Sequence, residues 1–158
     1  MDYIIREMKS SEYHLLADFL YEAIFIPKGV EPPPKTIIKL PELQVYIADF
    51  GELKDDHCFI AEADNKPVGA VWVRIMNDYG HVDSQTPSFA ISLYKEYRGY
   101  GIGTEMMKTM LRYLTSKGYS KASLAVQKNN YAVKMYEKVG FKISCQKEEE
   151  YIMICRLK

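Results

Sequence analysis

One stretch limits the choice of fold more than any other. From Ser88 the chain reads Ser-Phe-Ala-Ile-Ser-Leu-Tyr, a short strand, and then runs through Arg98 into glycines at positions 99, 101 and 103. Met106, Met107, Met110, Leu111 and Leu114 follow at helical spacing, and Lys117-Gly118 supplies a cation and a left-handed cap to end that helix. A strand that turns through glycines into a helix lets the backbone approach a ligand closely. The helix start also presents unpaired N–H groups and partial positive charge. Such a loop receives a phosphate or pyrophosphate, with Arg98 adding charge-assisted bonds. The plainer reading of the same residues is a tight strand-to-helix turn that binds nothing.

Two nucleotide readings fail on position. A P-loop needs Gly-Lys-Ser/Thr, whereas Gly103-Thr104-Glu105 has no lysine. A dinucleotide fold places its glycines after the first strand and closes the next strand with an acid for the ribose. Here the loop lies past the middle of the chain, and the next strand ends Val126-Gln127-Lys128.

The remaining segments build around that turn. Tyr3–Arg6 is a short apolar stretch, and Ser10 or Ser11 caps an amphipathic helix over 11–24 carrying Leu15, Leu16, Phe19, Leu20 and Ala23. Pro27, Gly29 and Pro32-Pro33-Pro34 form a polyproline-like loop, ordered or mobile. Pro41 starts a second helix whose apolar residues Leu43, Tyr46, Ile47 and Phe50 predict that it runs to Gly51. Cys58–Ala63 and Val68–Met76, joined by Asp64-Asn65-Lys66, form a β-hairpin, and Asn77–Pro87 is a loop. Ala122–Val126 is a buried-type strand, Asn130–Val139 a short helix stopped by Gly140, and 141–147 and 150–156 are final strands. Strand and helix alternate in the second half, which requires a parallel crossover. The expected class is α/β on a mixed sheet, in one domain over residues 1–158.

Composition removes whole classes of function. There are 21 Lys plus Arg against 21 Asp plus Glu, so the clustered excess cation that phosphate neutralisation needs is missing, and a nucleic-acid binder is not expected. No basic, apolar leader opens the chain, and apolar runs such as Val68–Val73 are far short of a membrane span. Cys58, Cys145 and Cys155 are an odd count without a Cys-x-x-Cys pair. His14, His57 and His81 lack metal-ligand spacing, so neither a disulfide framework nor a metal site is expected. A cytoplasmic protein is the resulting expectation.

The run Glu96-Tyr97-Arg98-Gly99-Tyr100-Gly101-Ile102-Gly103 resembles the Arg/Gln-x-x-Gly-x-Gly/Ala signature of the GCN5-related N-acetyltransferases, the GNAT superfamily. A second block, Asn129-Asn130-Tyr131-Ala132-Val133-Lys134-Met135-Tyr136-Glu137-Lys138-Val139-Gly140-Phe141, is similar to that family's Asn-x-x-Ala-x-x-Leu-Tyr-x-x-x-Gly-Phe pattern. The blocks span about 88–141, in the family's order, with one helix and one strand between them. The resemblance implies a mixed, mostly antiparallel sheet of about six to seven strands flanked by about four helices, with a splayed parallel pair at its centre.

It further implies acetyl-CoA as cosubstrate and transfer of its acetyl group to a primary amine. Arg98, Gly99, Tyr100, Gly101, Ile102, Gly103 and Thr104 would cradle the pyrophosphate. Backbone around Leu93 and Tyr94, at a bulge ending the strand, would hold the pantetheine arm and polarise the thioester carbonyl. Asn129 would bond the pantetheine amide, cap the following helix, or both. Tyr136 would protonate the departing thiolate; read from spacing alone, it is a core tyrosine on the face with Ala132, Val133 and Val139. The strand Phe89–Leu93 lacks the carboxylate that many relatives use as base, which leaves Glu22, His81, Asp83, Tyr94 or a water chain. Lys95 stands where the family often has proline.

The acceptor, a small amine or a peptide or protein amine, would meet the loop Ala23–Lys35. There Phe25, Ile26 and Val30 offer an apolar wall, and Glu22 or Glu31 an attraction for ammonium. A non-catalytic acyl-CoA-binding module of the same fold is the alternative, and a nucleotide-binding regulatory domain rests on the glycine loop alone. The oligomeric state stays open, with a homodimer through the final strands as the option the resemblance offers.

Overall fold

A computed structural model describes all 158 residues, Met1–Lys158. Seven strands form one sheet: β1 (Tyr3–Glu7), β2 (His57–Ala63), β3 (Lys66–Arg74), β4 (Ser88–Leu93), β5 (Lys121–Gln127), β6 (Phe141–Gln146) and β7 (Glu150–Arg156). Their order across the sheet is β1-β2-β3-β4-β5-β7-β6. Every pairing is antiparallel except β4 with β5, the expected parallel pair. The helices are α1 (Leu16–Ala23), α2 (Pro41–Gln44), α3 (Ile102–Ser116) and α4 (Ala132–Lys138). None is long and apolar enough to cross a membrane.

Alternation along the strands divides the apolar side chains between two faces. One face buries Phe59, Val71, Val73, Phe89, Leu124 and Val126 against Ile102, Met106, Met107, Met110 and Leu114 of α3, with Tyr136 of α4. The other buries Ile60, Ala70 and Trp72 against Leu16, Phe19 and Leu20 of α1. The β2–β3 hairpin turns on Asp64 and Asn65, both at positive φ (54° and 61°), the two-residue geometry whose twist matches that of paired strands.

The first half departs from its sequence pattern in three places. Residues Ser10–Leu15 wind as a 3-10 helix before α1 begins, and Lys35–Lys39, directly after the expected proline loop, form another where no element was expected. More consequentially, α2 ends at Gln44, not near Gly51. Side chains from β3 account for this. Arg74 donates through Nη1 to the Val45 and Ala48 carbonyls (3.1 and 2.8 Å), and the Trp72 indole donates to the Tyr46 carbonyl (3.0 Å). Those carbonyls are held by tertiary donors while the chain passes through turns and Asp49 takes a positive φ of 53°. The apolar spacing of Leu43, Tyr46, Ile47 and Phe50 thus records which side chains face the sheet; it does not record a continuous helix.

Arg74 is itself held by Asp56, with Nε and Nη2 at 3.0 and 2.8 Å from its two carboxylate oxygens, and both side chains are buried. Asp56 also accepts the Gly51 and Leu53 amides. Removing one partner of such a pair strands a buried charge, so Asp56→Ala is expected to lower unfolding free energy by about 3–5 kcal/mol in urea denaturation.

A smaller clip ties β1 to its surroundings. Arg6 donates to Glu12 (2.9 and 2.8 Å) and to Glu62 (3.0 Å). The Arg6 guanidinium holds the Glu12 carboxyl at about 2, below its ordinary 4.5. Because the folded value is the lower one, this stabilisation is full above about pH 4.5 and fades as pH falls towards 2. Glu12→Gln should remove that share of the acid-dependent loss, as read from denaturation at successive pH values.

Candidate active site

The parallel pair β4–β5 touches only at its beginning. Ser88 pairs with Ser123, and the Ser123 amide donates to the Pro87 carbonyl at 3.0 Å; beyond that point the strands part. The register of β4 on β3 is continuous, with Tyr94 N–H donating to the Val68 carbonyl at 2.9 Å, so the bulge expected near Leu93 and Tyr94 is absent. Antiparallel strands alternate the side on which their backbone groups point. The Tyr94 amide therefore belongs to β3, while the Ile91 and Leu93 amides face the gap. The Leu93 carbonyl, also on that side, accepts Arg98 Nε at 2.8 Å.

The glycine loop sits at the open end of this gap. Lys95–Tyr97 make one 3-10 turn, Gly99 and Gly101 adopt φ of 86° and 82°, and α3 begins at Ile102. A left-handed Gly101 delivers the chain into α3 with no side chain capping the helix. The first intrahelical bond is Glu105 N–H to the Gly101 carbonyl, so the amides of Ile102, Gly103 and Thr104 precede the helical ladder. Tyr100 is exposed and Ile102 fully buried. A Cβ on Gly103 would meet the Met135 sulfur at 3.4 Å, so the helix start lies against α4. Arg98 turns back to β4 and stands 3.6 Å from Glu22. These backbone donors, with positive helix-end charge, fit a pyrophosphate followed by an extended amide-bearing arm.

Between the parted strands is a cavity of about 200 Å³ that passes through the sheet. On the α4 side its walls are Phe89, Ile91, Leu124, Val126, Asn130 and Tyr136. On the α1 side they include Leu20, Ala23, Ile24, Phe25, Leu43 and Tyr46. Tyr136 is buried beside Phe141, itself edge-on to Phe89, which sets the phenol near the closed end of the gap. Burial raises its pKa, so the hydroxyl keeps its proton at neutral pH. Asn129 is exposed, and the capping role falls to its neighbour: Asn130 Oδ1 accepts the Ala132 amide at 2.9 Å. Of the expected apolar wall, Phe25 lines the cavity, whereas Ile26 does not and Val30 is exposed.

The carboxylates and rings expected near a base are mostly occupied. Asp83 accepts from Thr86, Gln85 and Lys121, bonds that hold it at about 2. His81 Nδ1 lies 2.8 Å from the Met76 carbonyl. Tyr94 packs on Phe19, and burial together with Asp18 and Glu22 raises its pKa. Sequence reasoning missed Tyr46, which lines the cavity, and Asp78, which lies near its phenol. Asp78 accepts the Ser88 hydroxyl at 3.0 Å; burial raises its carboxyl pKa, and burial followed by the nearby Asp78 charge raises that of the Tyr46 phenol. Its loop is pressed against β5: a Cβ on Gly80 would meet Leu124 and Ala125 backbone at 3.0 Å, and Ser123 Oγ donates to the Gly80 carbonyl. No sequence spacing announced Asp78, since it lies in an irregular loop.

Residues 20–141, more than half of the chain, match the Acetyltransferase (GNAT) family. The chain is 31% identical over 87 residues to human N-acetyltransferase 8B, a match covering 54% of this chain and 38% of that protein. It spans less than half the length of the curated relatives it matches. Among solved structures, the PaiA N-acetyltransferase of Thermoplasma acidophilum in complex with coenzyme A superposes with a TM-score of 0.69 at 19% identity, covering 99% of both chains. An N-acetyltransferase from Staphylococcus aureus Mu50 gives 0.73 at 16% identity over the whole of both chains. With the parted β4–β5 pair, the glycine loop and the extent of the match, the chain belongs to the acetyltransferase (GNAT) family.

Proposed function

We propose that the chain is an acetyl-CoA-dependent N-acetyltransferase acting on a primary amine by direct attack within a ternary complex. The observation that carries this reading is the gap between β4 and β5, with the glycine loop at its open end and a cavity walled by apolar residues between the strands. When bound, acetyl-CoA would supply the acyl group and a thiolate leaving group. The residues present fit such a molecule: the amides of Ile102, Gly103 and Thr104 for the pyrophosphate, and those of Ile91 and Leu93 along the parted strand. A Leu93 or Ile91 amide aimed at the developing oxyanion would stabilise it, because these donors are held by the β3 register before any ligand arrives.

Tyr136 serves as proton donor to sulfur. Its environment of Phe89 and Phe141 excludes water, and its raised pKa keeps it protonated until a thiolate forms beside it. The acceptor side favours an amine on an apolar or aromatic body, since Leu20, Ile24, Phe25 and Leu43 shape the wall there. Glu150 lines the same cavity and, with Glu42, bears on Tyr79, so the approach carries negative charge suited to an ammonium.

CoA or acetyl-CoA at about 100 times its dissociation constant should stabilise the fold by about 2.7 kcal/mol. For a chain of this size that raises Tm by roughly 5–10 °C. ATP and NAD at the same excess should leave Tm in place, and a rise with NAD but none with CoA would overturn the reading. Tyr136→Phe should reduce turnover by about 10²–10⁴-fold with CoA affinity unchanged. Turnover equal to that of the unaltered protein at every pH would remove Tyr136 from the chemistry.

A further inference from the structure

The cavity has two faces, and Tyr136 occupies only one of them. On the opposite face, at the closed end of the β4–β5 gap, Tyr46 lines the cavity and Asp78 stands behind it. Resting on the acetyltransferase reading above, we infer that Tyr46 and Asp78 form the proton-accepting pair for the acceptor amine, Tyr46 touching the amine and Asp78 receiving the proton through it.

Several independent features place this pair on the route of the amine. Tyr46 is fixed by its own backbone: the Trp72 indole holds its carbonyl, and Arg74 holds the carbonyls on either side at Val45 and Ala48. Asp78 is fixed by the Ser88 hydroxyl, and Ser88 is the residue at which β4 and β5 meet. Ser88 and Ser123 Oγ are 3.3 Å apart, and Ser123 donates to the Gly80 carbonyl, so the Asp78 loop is sewn to the closed end of the gap. The Tyr79 backbone amide also bears on the Tyr46 phenol. A phenol that donates towards a carboxylate keeps oxygen lone pairs for a ligand in the cavity. The carboxylates and rings of the earlier candidates, by contrast, are tied to other partners.

The amine nitrogen bonds the thioester carbonyl carbon, the carbon–sulfur bond breaks with its electron pair on sulfur, and sulfur takes the Tyr136 proton. Before attack an ammonium acceptor gives one proton to Tyr46 Oη as the Tyr46 proton moves to an Asp78 oxygen, and the proton that nitrogen loses as the amide forms restores the Tyr136 phenol. Acid and base thus lie on opposite faces of one sheet and do not exchange protons directly.

Burial raises the Asp78 pKa above the ordinary aspartate value, while the Ser88 hydroxyl, the Gly80 amide and the Tyr46 phenol each oppose that rise. Other titratable groups around the pair are Tyr79 and His81 on the same loop, the Asp83–Lys121 pair at the base of β5, and Glu42 and Glu150 beside Tyr79. Asp78 accepts a proton only when ionised, so transfer should rise with pH through its raised pKa.

The test compares unaltered protein, Tyr46→Phe, Asp78→Asn and Asp78→Glu with two probe acceptors of the same apolar body. Benzylamine is protonated at neutral pH; O-benzylhydroxylamine is not. Transfer to benzylamine should fall about 10²–10⁴-fold in Tyr46→Phe and Asp78→Asn. The acid limb of kcat/KM should vanish in Asp78→Asn and return in Asp78→Glu. Transfer to O-benzylhydroxylamine should stay within about tenfold of the unaltered protein, because that nitrogen has no proton to lose before attack. Equal losses with both probes, or an unchanged acid limb in Asp78→Asn, would overturn the pair. CoA affinity by calorimetry should be the same in all four proteins; its absence in the unaltered protein would sink the acetyltransferase reading instead. One readout needs no acceptor: NMR titration of the side-chain carboxyls. Asp78 should titrate above the ordinary value and higher still in Tyr46→Phe, and an ordinary value that Tyr46→Phe does not move would overturn the proposal.

Discussion

Two strands that part after a single bridge govern the rest of this molecule. Backbone N–H and C=O groups inside a protein are paired almost without exception, and a sheet is the usual way of pairing them. Between β4 and β5 that device is given up beyond Ser88 and Ser123, and the protein meets the loss in different ways on each side. Arg98 folds back to satisfy the Leu93 carbonyl. The Ile91 and Leu93 amides are left for whatever enters the gap. The glycine loop, the uncapped start of α3 and the α4 tyrosine have their meaning only because this opening exists at the centre of an otherwise continuous sheet.

Holding such an opening requires rigidity around it, and the buried Arg74–Asp56 pair supplies much of that. A buried ion pair contributes little net stability, because desolvating two charges offsets their attraction. Its value here is positional. Arg74 spreads four hydrogen bonds over Asp56 and the carbonyls of Val45 and Ala48, with Trp72 beside it on Tyr46. One side chain of β3 thereby fixes a non-helical segment against the face of the sheet from which an amine would approach. Breaking that pair would loosen the segment bearing Tyr46 and leave the glycine loop, on the far face, where it is.

The second half of the fold was legible because its signals are local. The hairpin turn at Asp64-Asn65, the glycines before α3 and the methionine stripe of that helix each depend on residues within a turn or two. The parallel crossover follows from strand–helix–strand order. The first half was less legible, since Leu43, Tyr46, Ile47 and Phe50 carry a helical pattern that distant donors from β3 override. The same limit applies to the site. Tyr136 and the glycine loop could be marked from sequence by resemblance, but Asp78 could not. It lies in a loop without periodicity, and its surroundings are assembled from Ser88, Gly80 and Tyr46, which no spacing connects. Asn129 and Asn130 illustrate a finer limit: two adjacent asparagines are equivalent as caps in sequence, and only the chain's path decides between them.

The proline segment beyond α1 carries a consequence of its own. Tyr21 Oη donates to the Pro33 carbonyl, and Pro34 stands at φ −64° and ψ 152° before the 3-10 turn of Lys35–Lys39. Three successive pyrrolidine rings leave this stretch few shapes even in the unfolded chain, so little disorder is lost when it is latched down. The wall that includes Ile24 and Phe25 is therefore backed by a strut, and it cannot readily reshape itself around ligands of different outline. If the chain acetylates amines as proposed, discrimination among them by such a surface would be steric and decided in advance. Broadening the range of acceptors would first require softening the strut, through replacement of the prolines or of Tyr21, before any change to the residues that meet the ligand.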